Sequence, residues 1–287
     1  MKMLKKVALV SAIAAVPFAA HAEGLQPLDD GSMRNVSGQA GVTLELDVRA
    51  DIERVAYSQN ADGVQGAGAL LVDGIALGGA RDGNGDLGSL EFQIDIDIEA
   101  NGDAVIGLTN RGSDEPFNMG VDIDAIGLSD SMTGDIQTTL ISNLQLDALV
   151  GDTTITATNS NPFEGGGDTG SIVLETAFAV DNLEADVDIL AMRIEDVRVA
   201  AGGNLATLRD GGAITESMLA TNTITIGAGN RLSDTAGAEP QALRVSVGDS
   251  DLDVWMGDIQ IGGGSVGSVA IQGLSMAGTE MAVYGRD

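Results

Sequence analysis

The sequence predicts an all-β protein of antiparallel, layered or sandwich-like sheets, with about a dozen strands in total. Three observations favour this fold: apolar and polar residues alternate over many short segments, glycine- and aspartate-rich stretches separate those segments, and only 5 of the 287 residues are proline. In LEFQIDIDI, residues 90–98, every second residue is apolar, which is typical of a half-buried strand.

Further segments with the same alternation predict the other strands, and clusters of Gly, Asn, Asp and Ser between them predict turns. Helical signals are few. Asp29 or Asp30 can cap a short N-terminal helical turn that Gly38 ends, and Ile214–Leu219 is a second candidate turn. The predicted strands are residues 42–49, 68–77, 90–99, 119–128, 138–149, 152–158, 171–180, 183–199, 222–227, 242–248, 251–261, 266–276 and 280–285.

Residues 1–22 have the features of a secretory signal peptide. Three lysines precede the apolar stretch Val7–Ala20, and the small residues Ala20 and Ala22 form a cleavage site. The apolar stretch is too short for a membrane-spanning helix, so we expect export across the inner membrane and not an integral membrane protein with helices.

The chain beyond the signal peptide divides into two predicted parts. Residues 23–41 form an N-terminal capped turn, a candidate docking segment, and residues 42–287 form the all-β body. Two glycine-containing segments of the body, near residues 162–170 and 200–220, are candidate seams between two lobes.

The mature chain is strongly acidic and lacks several catalytic residue types. Without the three lysines of the signal peptide it keeps 11 arginines against 43 acidic residues, a formal charge of −32, and it has no Lys, Cys or His. This charge repels nucleic acid. The missing residue types exclude His- and Cys-dependent nucleophiles, zinc and haem sites with those ligands, and Schiff-base lysines. We therefore expect no enzymatic activity, and the sequence identifies no small-molecule substrate.

One loop has the spacing of a calcium site. Asp82, Asn84 and Asp86 place oxygen-bearing side chains at alternate positions with glycine between them, and Glu91 is a candidate fourth ligand. The loop departs from the EF-hand pattern at its sixth and twelfth positions. Two interpretations stay open: a calcium site, with calcium as the candidate cofactor, and a plain Asx-Gly turn between strands.

The start of the mature chain resembles a known family. The motif LQPLDDGSMRNVSGQAG, residues 25–41, leads from a signal peptide into a β-strand, as in the FilA-type pilus-assembly proteins of Gram-negative bacteria. The rest of the chain resembles these proteins only in composition, with many Gly and Asp residues. The resemblance implies a surface or fimbrial assembly context, with other pilus or surface proteins or copies of the same chain as partners, and no catalytic residues.

This N-terminal segment is also the candidate interaction segment. Met33 and Val36 are expected to lie against the first strand, while Gly38 and Gly41 supply the bend before that strand. Alternatively, the segment pairs with a neighbouring subunit by strand exchange, or it only covers one end of the sheet. Deletion of residues 25–41 separates these interpretations. A folded monomer that no longer assembles favours docking, and an unfolded product favours a segment that only covers one end of the sheet.

The sequence thus predicts an exported, non-catalytic structural or interaction protein, a component or accessory of a surface filament (pilus) or adhesin. The cell surface or fimbrium is the expected location, and the periplasm is the alternative. Two other functions stay open. One is an outer-membrane β-barrel, against which the aromatic content of 3% argues; the other is a calcium-dependent carbohydrate-binding or adhesive module.

Overall fold

Fourteen strands form one open antiparallel sheet in the part of the chain that the computed structural model describes, residues 41–58, 68–113, 115–163, 165–166, 169–232 and 242–285. One short helix, α1 (Leu205–Arg209), and two 3-10 turns, Asp188–Leu190 and Glu216–Met218, accompany them there. The strands are β1 (Val42–Val48), β2 (Ala50–Ser58), β3 (Ala69–Gly78), β4 (Leu90–Ile98), β5 (Ala104–Asn110), β6 (Phe117–Ser129), β7 (Thr138–Thr158), β8 (Ser171–Val187), β9 (Met192–Ala201), β10 (Ala220–Gly229), β11 (Ala242–Val247), β12 (Asp251–Ile261), β13 (Gly264–Ser275) and β14 (Thr279–Val283). The prediction of an all-β, antiparallel fold is confirmed.

The fourteen strands combine into eight long strands that follow one another across the sheet in chain order. The first is β1 with β2, the second β3 with β4, the third β5 with β6, the fourth β7 and the fifth β8. The sixth is β9 with β10, the seventh β11 with β12, and the eighth β13 with β14. Within the described ranges, each long strand pairs with the one before it and the one after it, so the chain forms an up-and-down meander.

A line of links and irregularities, here called the crease, crosses the long strands near their middle. Arg49 alone links β1 to β2, whereas residues 79–89 link β3 to β4 and residues 202–219 link β9 to β10. In β7 the register shifts between Val150 and Thr153. The crease separates a first leaf, which contains β1, β4, β5, β10, β11 and β14, from a second leaf, which contains β2, β3, β6, β9, β12 and β13. Strands β7 and β8 run through both leaves.

The first leaf has one apolar and one polar face, as the alternating sequence requires. Residues that pair directly across strands share a face, and the register places an aliphatic row on one face of seven strands. That row is Val42, Ile96, Ile106, Ile155, Leu174, Ile224 and Val247. The acidic side chains of β4 lie on the opposite face, where Asp95 pairs with Thr43.

The segment 202–219 covers the second leaf on the face away from the crease cavity described below. Leu208 and Met218 are buried there against Ala200, with Trp255 packed beside them. Arg198, whose side chain is only 5% exposed, donates hydrogen bonds to the carbonyl oxygens of Leu208, Gly212 and Asp181 and to the Asp181 carboxylate. A buried guanidinium therefore ties this segment to β8 and β9.

A second buried charge holds the same segment from the other end. Asp253 of β12 is fully buried, and its carboxylate accepts hydrogen bonds from the backbone N–H groups of Asn204 and Leu205, at the start of α1. It also accepts one from the backbone N–H of Gly273 in β13. Because a buried carboxylate is stable only with such partners, the position of α1 is fixed by the sheet.

The segment 79–89 covers the second leaf on the same side, nearer the start of the chain. Arg81 donates to the carboxylates of Asp122 and Asp147, which raise the pKa of its guanidinium through hydrogen bonding. Leu87 is buried over Gly120, where an added Cβ would overlap the Leu87 side chain. Gly120 therefore provides the space that this segment needs.

Several strand boundaries differ from the predicted ones. Strands β2 and β5 were not predicted, and the predicted strands 138–149 and 152–158 form one strand, because β7 continues through the crease with β8 beside it on both sides. The predicted strand 183–199 contains a turn at residues 188–191, where Ala191 has a φ of 49°. The phase of the alternation changes at both places, between Val150 and Thr153 and between Ile189 and Leu190. A change of phase marks an irregularity, but it does not tell whether the chain turns there or continues as one strand.

The domain predictions extend beyond what the structure describes. The signal peptide 1–22 and the helical turn at residues 29–38 lie outside the described residues. Residues Gly41–Asp287 form one compact unit, and the division of the body into two lobes stays a prediction. Among the described residues, the structure contains no helix long and apolar enough to cross a membrane.

Candidate interaction surfaces

Strand β13 is the most exposed strand of the sheet. All 12 of its residues are exposed, it pairs with β12, and its other side meets no strand within the described ranges. Its sequence, GSVGSVAIQGLS, contains no charged residue and no proline. Edge strands of natural proteins are normally protected from further pairing by charges, proline or bulges. Here three register shifts with β12 are the protective feature that remains.

Exposed apolar side chains concentrate on the two outermost long strands. Of the 23 large hydrophobic side chains that are exposed in the described residues, 13 lie on the first or the eighth long strand or directly beside the latter. They include Val42 and Leu44 on β1 and Met281 and Val283 on β14, and these four belong to the apolar face of the first leaf. Concentrated exposed apolar surface is typical of an interaction site.

The two outermost long strands differ in charge. The first long strand carries four acidic residues and two arginines, whereas Glu280 is the one charged residue between Gly264 and Val283. On the first long strand, Arg54 forms a bidentate ion pair with Asp73 at 2.6 and 2.7 Å, and hydrogen bonding from Arg54 lowers the pKa of that carboxyl. The edges of the sheet are therefore chemically distinct.

A third candidate surface is a cavity at the crease, on the apolar side of the sheet. Its volume is about 390 Å³, and residues of β4, β5, β6, β7 and β8 line it. Phe92 of the first leaf and Phe117 of the second stack there with ring centroids 6.3 Å apart. The hydroxyl groups of Thr153 and Thr176, which lie among the lining residues, hydrogen-bond to each other at 2.8 Å. The cavity is thus suited to an apolar group.

The four residues of the predicted calcium site do not share one arrangement. The Asp82 carboxylate accepts hydrogen bonds from the backbone N–H groups of Asn84 (2.7 Å) and Asp86 (3.1 Å), which lower its pKa. Glu91 instead forms an ion pair with Arg111 at 2.6 Å. Across the described part of the chain, no group of three or more acidic, His or Cys side chains is placed to hold a metal ion. An Asx turn explains the loop as it stands, and calcium binding stays a prediction.

Of the predicted interaction residues, Met33, Val36 and Gly38 lie outside the described residues. Gly41 is described and directly precedes β1. A Cβ at this position would lie 2.8 Å from the backbone oxygen of Ile96 and closer still to the Asp97 side chain. The φ of Gly41 is not in the left-handed region, so the requirement for glycine that the structure shows is close approach to β4. The bend before β1 stays a prediction.

The sequence predicts a strand at residues 266–276 but does not indicate that this strand is an open edge. Alternation predicts which residues face the same way, yet it does not tell whether a neighbour covers them. The signal that was available is compositional: Gly264–Ser275 is a 12-residue strand without charge in a chain of net charge −29.

The chain matches a family of unknown function, DUF6160, over residues 1–102. This match covers the opening motif and strands β1 to β4. No curated protein and no solved structure matches the chain. The similarity to the FilA-type proteins therefore stays a prediction from the motif.

Proposed function

We propose that this protein is an exported, non-catalytic structural or interaction protein, a component or accessory of a surface filament or adhesin, which binds its partners through the edges of its sheet. The observation that carries the proposal is strand β13, an uncharged edge strand with every residue exposed. A strand of this kind can accept a further strand by main-chain hydrogen bonding, with side chains on both faces providing selectivity.

Composition supports the non-catalytic part of the proposal. A mature chain without His, Cys or Lys leaves carboxylates as its main catalytic groups. Acid–base catalysis by carboxylates generally depends on raised pKa values. The carboxyl groups Asp73, Asp82, Asp95 and Asp258 have pKa values lowered by hydrogen bonds, which favours a structural role for them.

The location is tested by immunogold electron microscopy on intact cells with an antibody to the mature chain. Gold along filaments or over the outer surface is the expected result. Label that appears only after the outer membrane is opened would place the protein in the periplasm and contradict a filament component.

A charge introduced on β13 tests whether this strand is the surface that holds the protein on filaments. Val266 is 69% exposed, and Val266→Lys adds a charge to the open edge while removing little packing. Ile189→Lys is the matched control, since Ile189 is 63% exposed and lies in the turn between β8 and β9. We expect gold on filaments to be lost for Val266→Lys and retained for Ile189→Lys. Equal labelling of both variants would argue against the edge as the binding surface.

The crease cavity favours a second candidate function, the binding of an apolar ligand such as one acyl chain. Its volume of about 390 Å³ lies in the range of small-molecule sites, and its lining is apolar apart from two threonines. The probe is a fluorescent fatty acid. Ala148→Phe fills the cavity, and Ala157→Phe adds the same ring at an exposed position. Weakened binding in the first variant alone supports the site, and equal binding in both excludes it.

A further inference from the structure

The two outer edges of the sheet are complementary. We propose that copies of this chain join head to tail, with the eighth long strand of one copy paired with the first long strand of the next. This inference rests on the proposed function and names its partner as a second copy of the chain. Strand β14 would then lie beside β1 of the neighbour, and β13 beside β2.

The direction of the strands permits this pairing. Eight long strands alternate in direction along the meander, so the first and the eighth run in opposite directions. A copy displaced sideways across the sheet therefore continues the antiparallel hydrogen-bonding pattern without a break. An odd number of long strands would have brought parallel strands together at this junction.

The apolar faces also match. Met281 and Val283 lie on the same face of the first leaf as Val42 and Leu44, and all four are exposed. Pairing β14 with β1 of the next copy places these side chains next to one another and removes apolar surface from water on both sides of the junction. The row of paired residues that begins at Val42 ends at Thr279 on β14. A copy displaced sideways and also slid along the strands by the four residues from Thr279 to Val283 keeps each leaf beside the same leaf and extends the crease from copy to copy.

Charge disfavours pairing between two first long strands. Glu45 and Asp47 occupy the outward face of β1, and an antiparallel first long strand with the crease kept continuous would bring the exposed Asp51 and Glu53 of its β2 beside them. Like charges on directly opposed residues destabilise a strand pair. The eighth long strand brings Glu280 as its one charge between Gly264 and Val283, and Glu280 is already paired with Arg244.

Pairing between two eighth long strands avoids this repulsion but misaligns the leaves. A two-fold axis normal to the sheet, with the crease kept continuous, puts the five-residue β14 of one copy beside the 12-residue β13 of the other. A two-fold axis along the strands inverts the apolar face. Both arrangements leave Val42 and Leu44 in water. Head-to-tail pairing covers both edges, and because its contact is heterologous it builds an open filament rather than a closed dimer.

Disulfide trapping tests the junction, since the chain contains no cysteine and each introduced thiol is unique. Val283→Cys marks the eighth long strand, and Val42→Cys and Leu44→Cys mark the two registers of the first long strand that keep the apolar faces together. Directly opposed residues of antiparallel strands have Cα atoms about 4.5–5.5 Å apart, within the range that a disulfide spans. Ile189→Cys measures random collision. The exported full chain carrying each single cysteine is oxidised alone and in pairwise mixtures.

Head-to-tail assembly predicts a crossed dimer, that is, a disulfide between two different variants, when Val283→Cys is mixed with Val42→Cys or Leu44→Cys. Its yield should be at least about tenfold above that of mixtures with Ile189→Cys, because strand pairing raises the effective concentration of the two thiols. The double variant in one chain should give a ladder of multimers. A Val283→Cys dimer formed alone would overturn the proposal in favour of a two-fold contact. If Val283→Cys instead formed a crossed dimer with Val36→Cys, and none with Val42→Cys or Leu44→Cys, the N-terminal segment of a neighbour would be the strand that pairs with β14, and the proposal would be overturned.

No dimer in any mixture would also overturn the inference. It would leave the proposed function standing if the protein is still found on filaments by immunogold labelling, because the edges would then bind a different protein. Crossed dimers in a protein confined to the periplasm would instead retain the junction and remove the surface filament. The head-to-tail contact and the proposed function can therefore be refuted separately.

Discussion

The middle of the sheet and its two edges are built in different ways. Around the crease, side chains are buried and charges have several partners, as with Arg198 and Asp253. Along β13 every residue is exposed. Stability is therefore concentrated in the middle, so that the edges can change their sequence or bind a partner at little cost to the fold.

The largest effect is expected for Leu208→Ala. Leu208 belongs to the segment 202–219 and is fully buried between it and the sheet, and truncation of such a residue costs about 2–5 kcal/mol through lost burial and the cavity that remains. Denaturant unfolding should show a lower midpoint with an unchanged slope. Leu190→Ala is the control: Leu190 is exposed, and its truncation should leave the midpoint nearly unchanged. Equal effects of the two variants would contradict the concentration of stability in the middle.

A loss of comparable size is expected for Arg198→Ala. The carbonyl oxygens of Leu208 and Gly212 would lose their guanidinium partner, and buried polar groups without a partner cost about 1–3 kcal/mol each. Arg209→Ala removes a guanidinium of the same neighbourhood whose side chain is exposed and paired with the adjacent Asp210, so its effect should be within about 0.5 kcal/mol. A free energy of unfolding lowered equally by both would argue that charge, not burial, is responsible.

Acid should affect the stability of the first long strand through Asp73, with a smaller amplitude. Hydrogen bonding from Arg54 lowers the pKa of Asp73 below its usual value of 3.8 in the folded chain. The contribution of this pair to stability is therefore complete well above pH 3.8 and is lost as the pH falls through the lower folded pKa. Asp73→Asn should thus be less stable than the wild type at neutral pH, with a difference that shrinks in acid. A difference that stays constant with pH would contradict this assignment.

How far the sequence predicts these features differs between the middle and the edges. Alternation in LEFQIDIDI predicts β4 and its two faces correctly, because that pattern is local. The crease is not predicted, because it depends on contacts between distant residues: Arg81 reaches Asp122 and Asp147, 41 and 66 positions further along the chain. Periodicity carries no information about such partners.

The open edge, like the crease, is not predicted by the local sequence pattern. The apolar residues of β13 follow a strand pattern that also fits the interior of a sheet, and only the order of the strands reveals that no neighbour lies beside them within the described chain. For the calcium loop, the spacing of Asp82, Asn84 and Asp86 fits two structures equally well. The hydrogen bonds to Asp82 are those of an Asx turn.

The smallest effect on stability is expected at the open edge. Val266→Lys replaces a side chain that is already exposed, so the free energy of unfolding should change by no more than about 0.5 kcal/mol. The same variant should abolish head-to-tail assembly, because an added charge on an edge strand opposes further pairing. Leu208→Ala should show the opposite: lower stability, with assembly intact at temperatures where the chain remains folded. Unfolding curves and the oligomer distribution from analytical ultracentrifugation measure both properties in one sample. If Val266→Lys lowered stability as much as Leu208→Ala, β13 would belong to the core of the fold, and its exposure would not indicate a binding edge.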